Sequence, residues 1–140
     1  KENPWNQDLV KVKDLVKNNK SVFVLGFVEN KDLVALYNMA TVFAMPSLYE
    51  GFGLPILEAM SCGAPVVTSR EGSIPEIAQE AALYVDAYSV ESIAEGLSKV
   101  FKDTKLQKKM SEEGIAQSNK FSWEKTAEKT MKVYEEVKRE

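Results

Sequence analysis

Thr41-Val42-Phe43-Ala44-Met45-Pro46-Ser47-Leu48-Tyr49-Glu50-Gly51-Phe52-Gly53-Leu54-Pro55-Ile56-Leu57-Glu58-Ala59-Met60-Ser61 reads as a strand, a glycine-bearing loop and a helix in succession. Residues 41–45 are a short apolar run and read as a strand. Pro46 closes it, because proline has no N–H to extend a ladder. Apolar residues resume from Pro55 to Ser61, where Pro55 suits the first helical turn and Gly63 the stop. Strand, loop and helix in this order form the repeating unit of a parallel α/β sheet.

The alternation continues on both sides. Upstream, Leu9, Val12, Leu15 and Val16 recur at helical spacing and predict a helix over 8–19. Ser21 to Gly26, with Val22, Phe23, Val24 and Leu25, predicts a buried strand. Asn30 is placed to cap a helix through Leu33, Leu36 and Tyr37. Downstream, 65–69 and 82–85 predict two further strands, with Gly72, Pro75 and a helical turn between them. From Ser89 the pattern is helical. Ile93, Leu97, Val100 and Phe101 mark one helix, and Leu106, Met110, Ile115 and Phe121 a second. Ser122 caps a last helix whose face carries Trp123, Ala127, Met131, Tyr134 and Val137. The expectation is a single α/β domain over 1–140. It comprises a parallel sheet of about four strands, flanking helices and a helical tail over 89–140.

In open α/β sheets, ligands gather where strands end and helices begin, which here is Glu50-Gly51-Phe52-Gly53. Two glycines let the backbone pass close to a ligand and adopt positive φ. The helix that follows points N–H groups at the loop and favours an anion, so a phosphate or a polarised sugar oxygen is the natural guest. Glu58 stands among Ile56, Leu57, Ala59 and Met60 in a helix expected to be largely buried, where a lone carboxylate is costly. Its two oxygens suit the vicinal hydroxyls of a ribose, and Glu50 is placed to accept from sugar hydroxyls. Spacing alone leaves the plainer alternative open: Glu50 capping backbone amides and Glu58 pairing with a neighbouring donor.

Composition narrows the field. The 140 residues carry a net charge of −3 and 44% hydrophobic side chains, enough for one core. Residues 40–100 hold Arg70 and Lys99 against eight acids, which argues against nucleic acid as a partner. No apolar run approaches the ~20 residues of a membrane span, and no secretory leader is visible. With no histidine and one cysteine, Cys62, a Zn or Cu site and an internal disulfide framework are not expected. Ser47 and Ser73 lack a histidine partner for a hydrolase triad. Cys62, Trp5 and Trp123 are read as packing groups. Tyr49 fits a turn-packing or a ligand-facing role, and Arg70 a phosphate contact or a surface role.

Several blocks occur in a fixed order: 24–28, 36–37, the run 44–55, then 57–67 with Leu57-Glu58-Ala59-Met60-Ser61-Cys62-Gly63-Ala64-Pro65-Val66-Val67. Gly72-Ser73-Ile74-Pro75-Glu76 and Phe121-Ser122-Trp123-Glu124 follow. Together they resemble the group 1 (family four) retaining glycosyltransferases over about residues 9–137. The resemblance implies the GT-B fold, of which this chain looks like most of the C-terminal, donor-binding domain. It implies that Glu50 contacts the donor sugar and Glu58 the ribose hydroxyls. The amides of Gly51, Phe52, Gly53 and Leu54 would face sugar and phosphate, and Gly26, Phe27 and Val28 would lie near the base. The substrate would be a nucleotide-diphosphate sugar, transferred with retention and without a metal or other cofactor.

Two departures matter. The family's opening strand, with the Arg and Lys that grip the diphosphate, a helix and a second strand are not found before Leu9. The acceptor domain is missing too, so the isolated chain is expected to be inactive or nearly so. In a sheet order 3-2-1-4-5-6 the two missing strands fall between residues 22–25 and the other three strands. The expected remedy is that 22–25 slides in to give a contiguous four-strand sheet, with some self-association through an exposed edge. The implied location is cytoplasmic, or peripheral at the membrane in a longer parent. Two alternatives remain: a non-catalytic binding or scaffold module, and a nucleotide-sugar epimerase on the same fold.

Overall fold

The computed structural model describes residues 4–139, with side chains from 10 to 138. They form two compact units, one ending at Asn30 and one starting at Lys31. The first contains helix α1 (Pro4–Val16), which starts and ends earlier than the periodicity suggests. The rest comprises α2 (Asn30–Met39), β1 (Phe43–Met45), α3 (Leu54–Ser61), β2 (Val66–Thr68), α4 (Ile74–Ala78), a 3₁₀ turn at Gln79–Ala81 and β3 (Ala82–Tyr84). Helices α5 (Val90–Lys102), α6 (Thr104–Ser118) and α7 (Trp123–Arg139) close the chain.

Three of the expected strands form one parallel sheet in the order β1-β2-β3, with Phe43 opposite Val66 and Val66 opposite Ala82. Side chains alternate across it, as strand geometry requires. Val66, Phe43, Met45, Ala82 and Tyr84 belong to one core with Tyr37, Ile56, Ala59, Met60 and Ile74. Val67, Val42, Leu83 and Val85 belong to the other, with Val100, Met110, Leu97 and Leu106. A sheet sandwiched between two helical layers explains why its strands read as unbroken apolar runs.

The fourth strand does not form. Residues 22–25 carry no strand pairing, and Phe23 and Leu25 are 78% and 60% exposed. The amide of Val22 turns back to the carbonyl of Asn19 at 3.1 Å. The expected contiguous four-strand sheet is therefore replaced by three strands. An extended segment is stable only against a hydrogen-bonding neighbour. Among the described residues no strand pairs with this segment.

Helix α3 is the buried pillar of the larger unit. Ile56, Ala59 and Met60 are fully buried, and α3 packs on α6 where Gly114 leaves room for Met60: a Cβ there would lie 3.3 Å from Met60 Cγ. Helix α5 approaches β3 as closely, since a Cβ on Gly96 would fall 2.5 Å from Val85 Cγ1. Helix α7 begins as expected, with Ser122 Oγ accepting from the Lys125 amide. Its apolar face is exposed, however, Trp123, Tyr134 and Val137 included. No helix among the described residues is long and apolar enough to cross a membrane.

Candidate functional site

The loop between β1 and α3 lies at the carboxyl end of the sheet, between the end of one strand and the start of the next helix. Gly53 caps α3 with φ +94, a left-handed conformation open to glycine. Its neighbours leave ordinary space, so the dihedral and not crowding requires the glycine. The amides of Gly51, Phe52 and Gly53 have no hydrogen-bond partner among the described residues. The helix itself offers less than its position suggests. Pro55 has no N–H, and Ile56 spends its amide on the Gly53 carbonyl at 3.0 Å. An oxygen ligand would therefore meet mainly the loop amides, with Leu54 beside them.

Glu50 is half-buried and held from two sides. Its Oε1 accepts from Ser47 Oγ at 2.8 Å. Its carbonyl oxygen accepts from the Ser73 amide at 3.2 Å and from Ser73 Oγ at 3.1 Å. Beneath it, the buried Thr68 donates from Oγ1 to the Met45 carbonyl at 2.8 Å, and the buried Ser69 donates from Oγ to the Ser47 carbonyl. The loop after β2 thus stitches the loop after β1 in place. Gly72, at φ +61, makes this docking possible, because a Cβ there would come within 2.4 Å of the Glu50 carbonyl oxygen.

Glu58 is exposed, which corrects the expectation of a buried carboxylate. On the short α3 it lies on the face turned away from Ile56, Ala59 and Met60, so helical periodicity separates it from its apolar neighbours. Its Oε2 accepts from Tyr37 Oη at 3.3 Å. The Tyr37 ring is buried and meets Phe43 edge-on at 5.3 Å. Burial first, then the negative charge of Glu58 and its hydrogen bond, push the phenol from 10.0 up to about 12.

A folded-state value above the unfolded one means that this stabilisation is complete below pH 10 and is lost as pH rises toward 12. At the top of that window the loss is about 2–3 kcal/mol. Tyr37→Phe should flatten the alkaline fall in stability across pH 10–12 relative to the parent chain, as urea unfolding at several pH values would show. An equal fall in both proteins would remove Tyr37 as its cause.

A cavity of about 250 Å³ opens beside Glu58 on the outer face of α3, lined by Phe52, Leu54, Leu57, Phe121 and Trp123. Phe52 and Phe121 meet edge-on at 6.2 Å. Trp123 is 75% exposed there, so its expected packing role is not met. The side chain of Trp5 lies outside those described. Cys62 packs against the core as expected. Arg70, at the carboxyl end of β2, lays its guanidinium 4.0 Å from the centre of the Tyr84 ring. Gly26, Phe27 and Val28 belong to the unit ending at Asn30, where Phe27 is 92% exposed and Gly26 has φ +70. Among the described residues no group of three His, Cys, Asp or Glu side chains is placed to hold a metal ion.

The sequence had pointed to Glu50, Gly53 and Glu58, but not to the hydroxyls that hold the two carboxylates. Ser47 stands three residues before Glu50, close enough for a local side-chain bond. Tyr37 is 21 residues from Glu58, and no local pattern links them.

Residues 2–117 match the family model described as glycosyl transferases group 1. The chain belongs to this family. It is 44% identical over 110 residues to O-antigen chain mannosyltransferase B of Escherichia coli, covering 79% of this chain and 29% of that protein. It is 38% identical over 109 residues to the D-inositol 3-phosphate glycosyltransferase of Corynebacterium jeikeium, covering 76% of this chain and 26% of the relative. Among solved structures, sucrose-phosphate synthase from Thermosynechococcus elongatus superposes with a TM-score of 0.82 at 25% identity, over 94% of this chain and 34% of that one. The C-terminal domain of a group 1 family protein (LpcC) from Francisella tularensis superposes with a TM-score of 0.68 at 26% identity, over 83% and 61%. The chain therefore spans less than a third of these two sequence relatives, and its α/β architecture is that of a GT-B glycosyltransferase's C-terminal domain.

Proposed function

We propose that residues 1–140 are a partial donor-binding domain of a retaining glycosyltransferase, with a nucleotide-diphosphate sugar as ligand. Glu50 accepts from hydroxyls of the donor sugar. The amides of Gly51, Phe52, Gly53 and Leu54 meet sugar or phosphate oxygens. Glu58 accepts from the ribose, and Gly26, Phe27 and Val28 lie near the base. In the transfer, the bond from the anomeric carbon to the diphosphate breaks and a bond to an acceptor oxygen forms on the same face. The acceptor's proton is released. No metal takes part; cations contributed from outside residues 1–140 neutralise the leaving diphosphate, and an acceptor domain supplies the second substrate. Alone, this chain transfers nothing. Self-association through the free edge of β1, and a cytoplasmic place with peripheral membrane contact in a longer parent, belong to the same proposal.

The observation that carries it is the preset Glu50, one oxygen taken by Ser47 and the other without a protein partner among the described residues, beside three unpaired loop amides. That combination suits a neutral polyol next to an anion. NMR titration of the chain with UDP-glucose, UDP-N-acetylglucosamine and GDP-mannose should give saturable binding to at least one, with Kd on the order of 1 mM. Glu50→Ala should weaken it, and fusing an upstream strand with Arg and Lys should strengthen it strongly. Binding that is indifferent to Glu50→Ala would favour a non-catalytic module instead.

A further inference from the structure

Both carboxylates of the site share one arrangement. Each gives a single oxygen to a single hydroxyl, and each hydroxyl stands on a backbone or ring that is held by structure not involving the carboxylate. Ser47 is held through its backbone: its amide donates to the Met45 carbonyl at 2.9 Å, and its carbonyl accepts from the buried Ser69. The Met45 carbonyl also accepts from Thr68. The Ser47 hydroxyl therefore projects from a braced backbone, 2.8 Å from Glu50 Oε1. Tyr37 is held through its ring, buried and packed edge-on against Phe43, with Oη 3.3 Å from Glu58 Oε2. A glutamate on a loop or an exposed helix face otherwise samples several rotamers and loses that freedom on binding. A hydroxyl anchored elsewhere removes part of that loss beforehand, which is how preorganisation raises affinity.

We infer that Ser47 and Tyr37 are positioning residues, each aiming the second oxygen of its glutamate at a different half of the donor. Ser47 acts through Glu50 on the sugar, and Tyr37 acts through Glu58 on the nucleoside. The inference rests on the donor-site roles proposed for the two glutamates. Ser47 contributes its hydroxyl, without the histidine-dependent nucleophilic role already excluded. Tyr37 contributes a phenol that stays protonated at neutral pH and so remains a donor beside a carboxylate.

The two roles separate in one measurement. For the chain and its variants, Kd is determined by NMR titration for UDP and UDP-glucose, and for GDP and GDP-mannose, using the pair that binds. The ratio of nucleotide to nucleotide-sugar Kd reports the sugar's share. Ser47→Ala should reduce this ratio roughly ten-fold toward one and leave nucleotide binding unchanged. Ser47→Thr, which keeps a hydroxyl, should restore the ratio, and Ser47→Cys, a weak donor, should behave as alanine does. Tyr37→Phe should weaken nucleotide and nucleotide sugar alike, by about five-fold, and leave the ratio unchanged. Both variants keep the backbone and ring contacts that brace these positions. If either fails to fold, Ser47→Cys and Tyr37→Leu, which also lack a strong donor, carry the same comparison. A ratio that collapses in Glu50→Ala but stays at the parent value in Ser47→Ala overturns the inference and leaves the donor-site proposal standing. A ratio unmoved by Glu50→Ala, or no saturable binding at all, overturns both.

Discussion

Gly72→Ala should lower the stability of the larger unit by about 2–4 kcal/mol and abolish any binding that depends on Glu50. Two independent costs combine. At φ +61 a side chain is strained by roughly 1–2 kcal/mol before it meets a neighbour. The new Cβ then falls 2.4 Å from the Glu50 carbonyl oxygen and 3.0 Å from its nitrogen. Those are backbone atoms, with no rotamer through which to yield. The Glu50 carbonyl is also fixed by the amide and hydroxyl of Ser73, so relief requires breaking these bonds and moving one loop off the other. Against a total stability of roughly 5–15 kcal/mol the loss is large but leaves a folded protein to study. Gly51→Ala is the matched control. It lies in the same loop, without positive φ and with open space where the Cβ would sit, so its stability should stay within about 0.5 kcal/mol of the parent. Urea unfolding of the three proteins checks this. Similar midpoints for the two variants would mean that the loops are not docked through Gly72.

The contrast between these glycines shows what the sequence could and could not disclose. Strand, loop and helix at 41–61 were legible because each depends on neighbours close in the chain: an apolar run, a proline stop, a proline-initiated turn. The division into two cores was not legible: 65–69 reads only as an apolar strand, and it is the folded sheet that sends Val66 and Val67 to opposite faces. Gly51 and Gly53 look equivalent in the sequence, yet Gly53 alone of the two adopts positive φ. Gly72 reads as an ordinary loop residue, although it is the one that meets the Glu50 backbone in the loop after β1. That contact joins residues far apart in the chain and leaves no periodic trace. Glu58 misled for the opposite reason. Its apolar neighbours suggested burial, but an eight-residue helix packed on one side leaves the other open. The segment 22–25 failed most clearly, because strand formation depends on a partner as much as on the apolar run itself.

Met60→Ala should have an effect of the same size or larger, through the helix that carries the site. Met60 is fully buried on α3 and fills the gap above Gly114 of α6, so truncation leaves a void that the glycine cannot fill. Buried methionine-to-alanine changes cost about 2–5 kcal/mol, the upper end where the surroundings cannot collapse. Collapse is hindered here, because Ile56 and Ala59 on the same helix are already fully packed. Met60→Leu conserves most of the volume and should cost less than about 1.5 kcal/mol. The loss should also reach function. Helix α3 carries Glu58 directly, and Ile56, one turn before Met60, gives its amide to the Gly53 carbonyl and sets its side chain under Gly53. A loosened α3 therefore frees the loop amides and Glu58 together. In Met60→Ala, hydrogen exchange at Ile56 and Leu57 should accelerate in step with the global loss of stability, because a pillar buried this deeply opens only when the unit does. Fast exchange confined to α3, with an unchanged unfolding midpoint, would show instead that the helix opens by itself and that the site is preset only while it is closed.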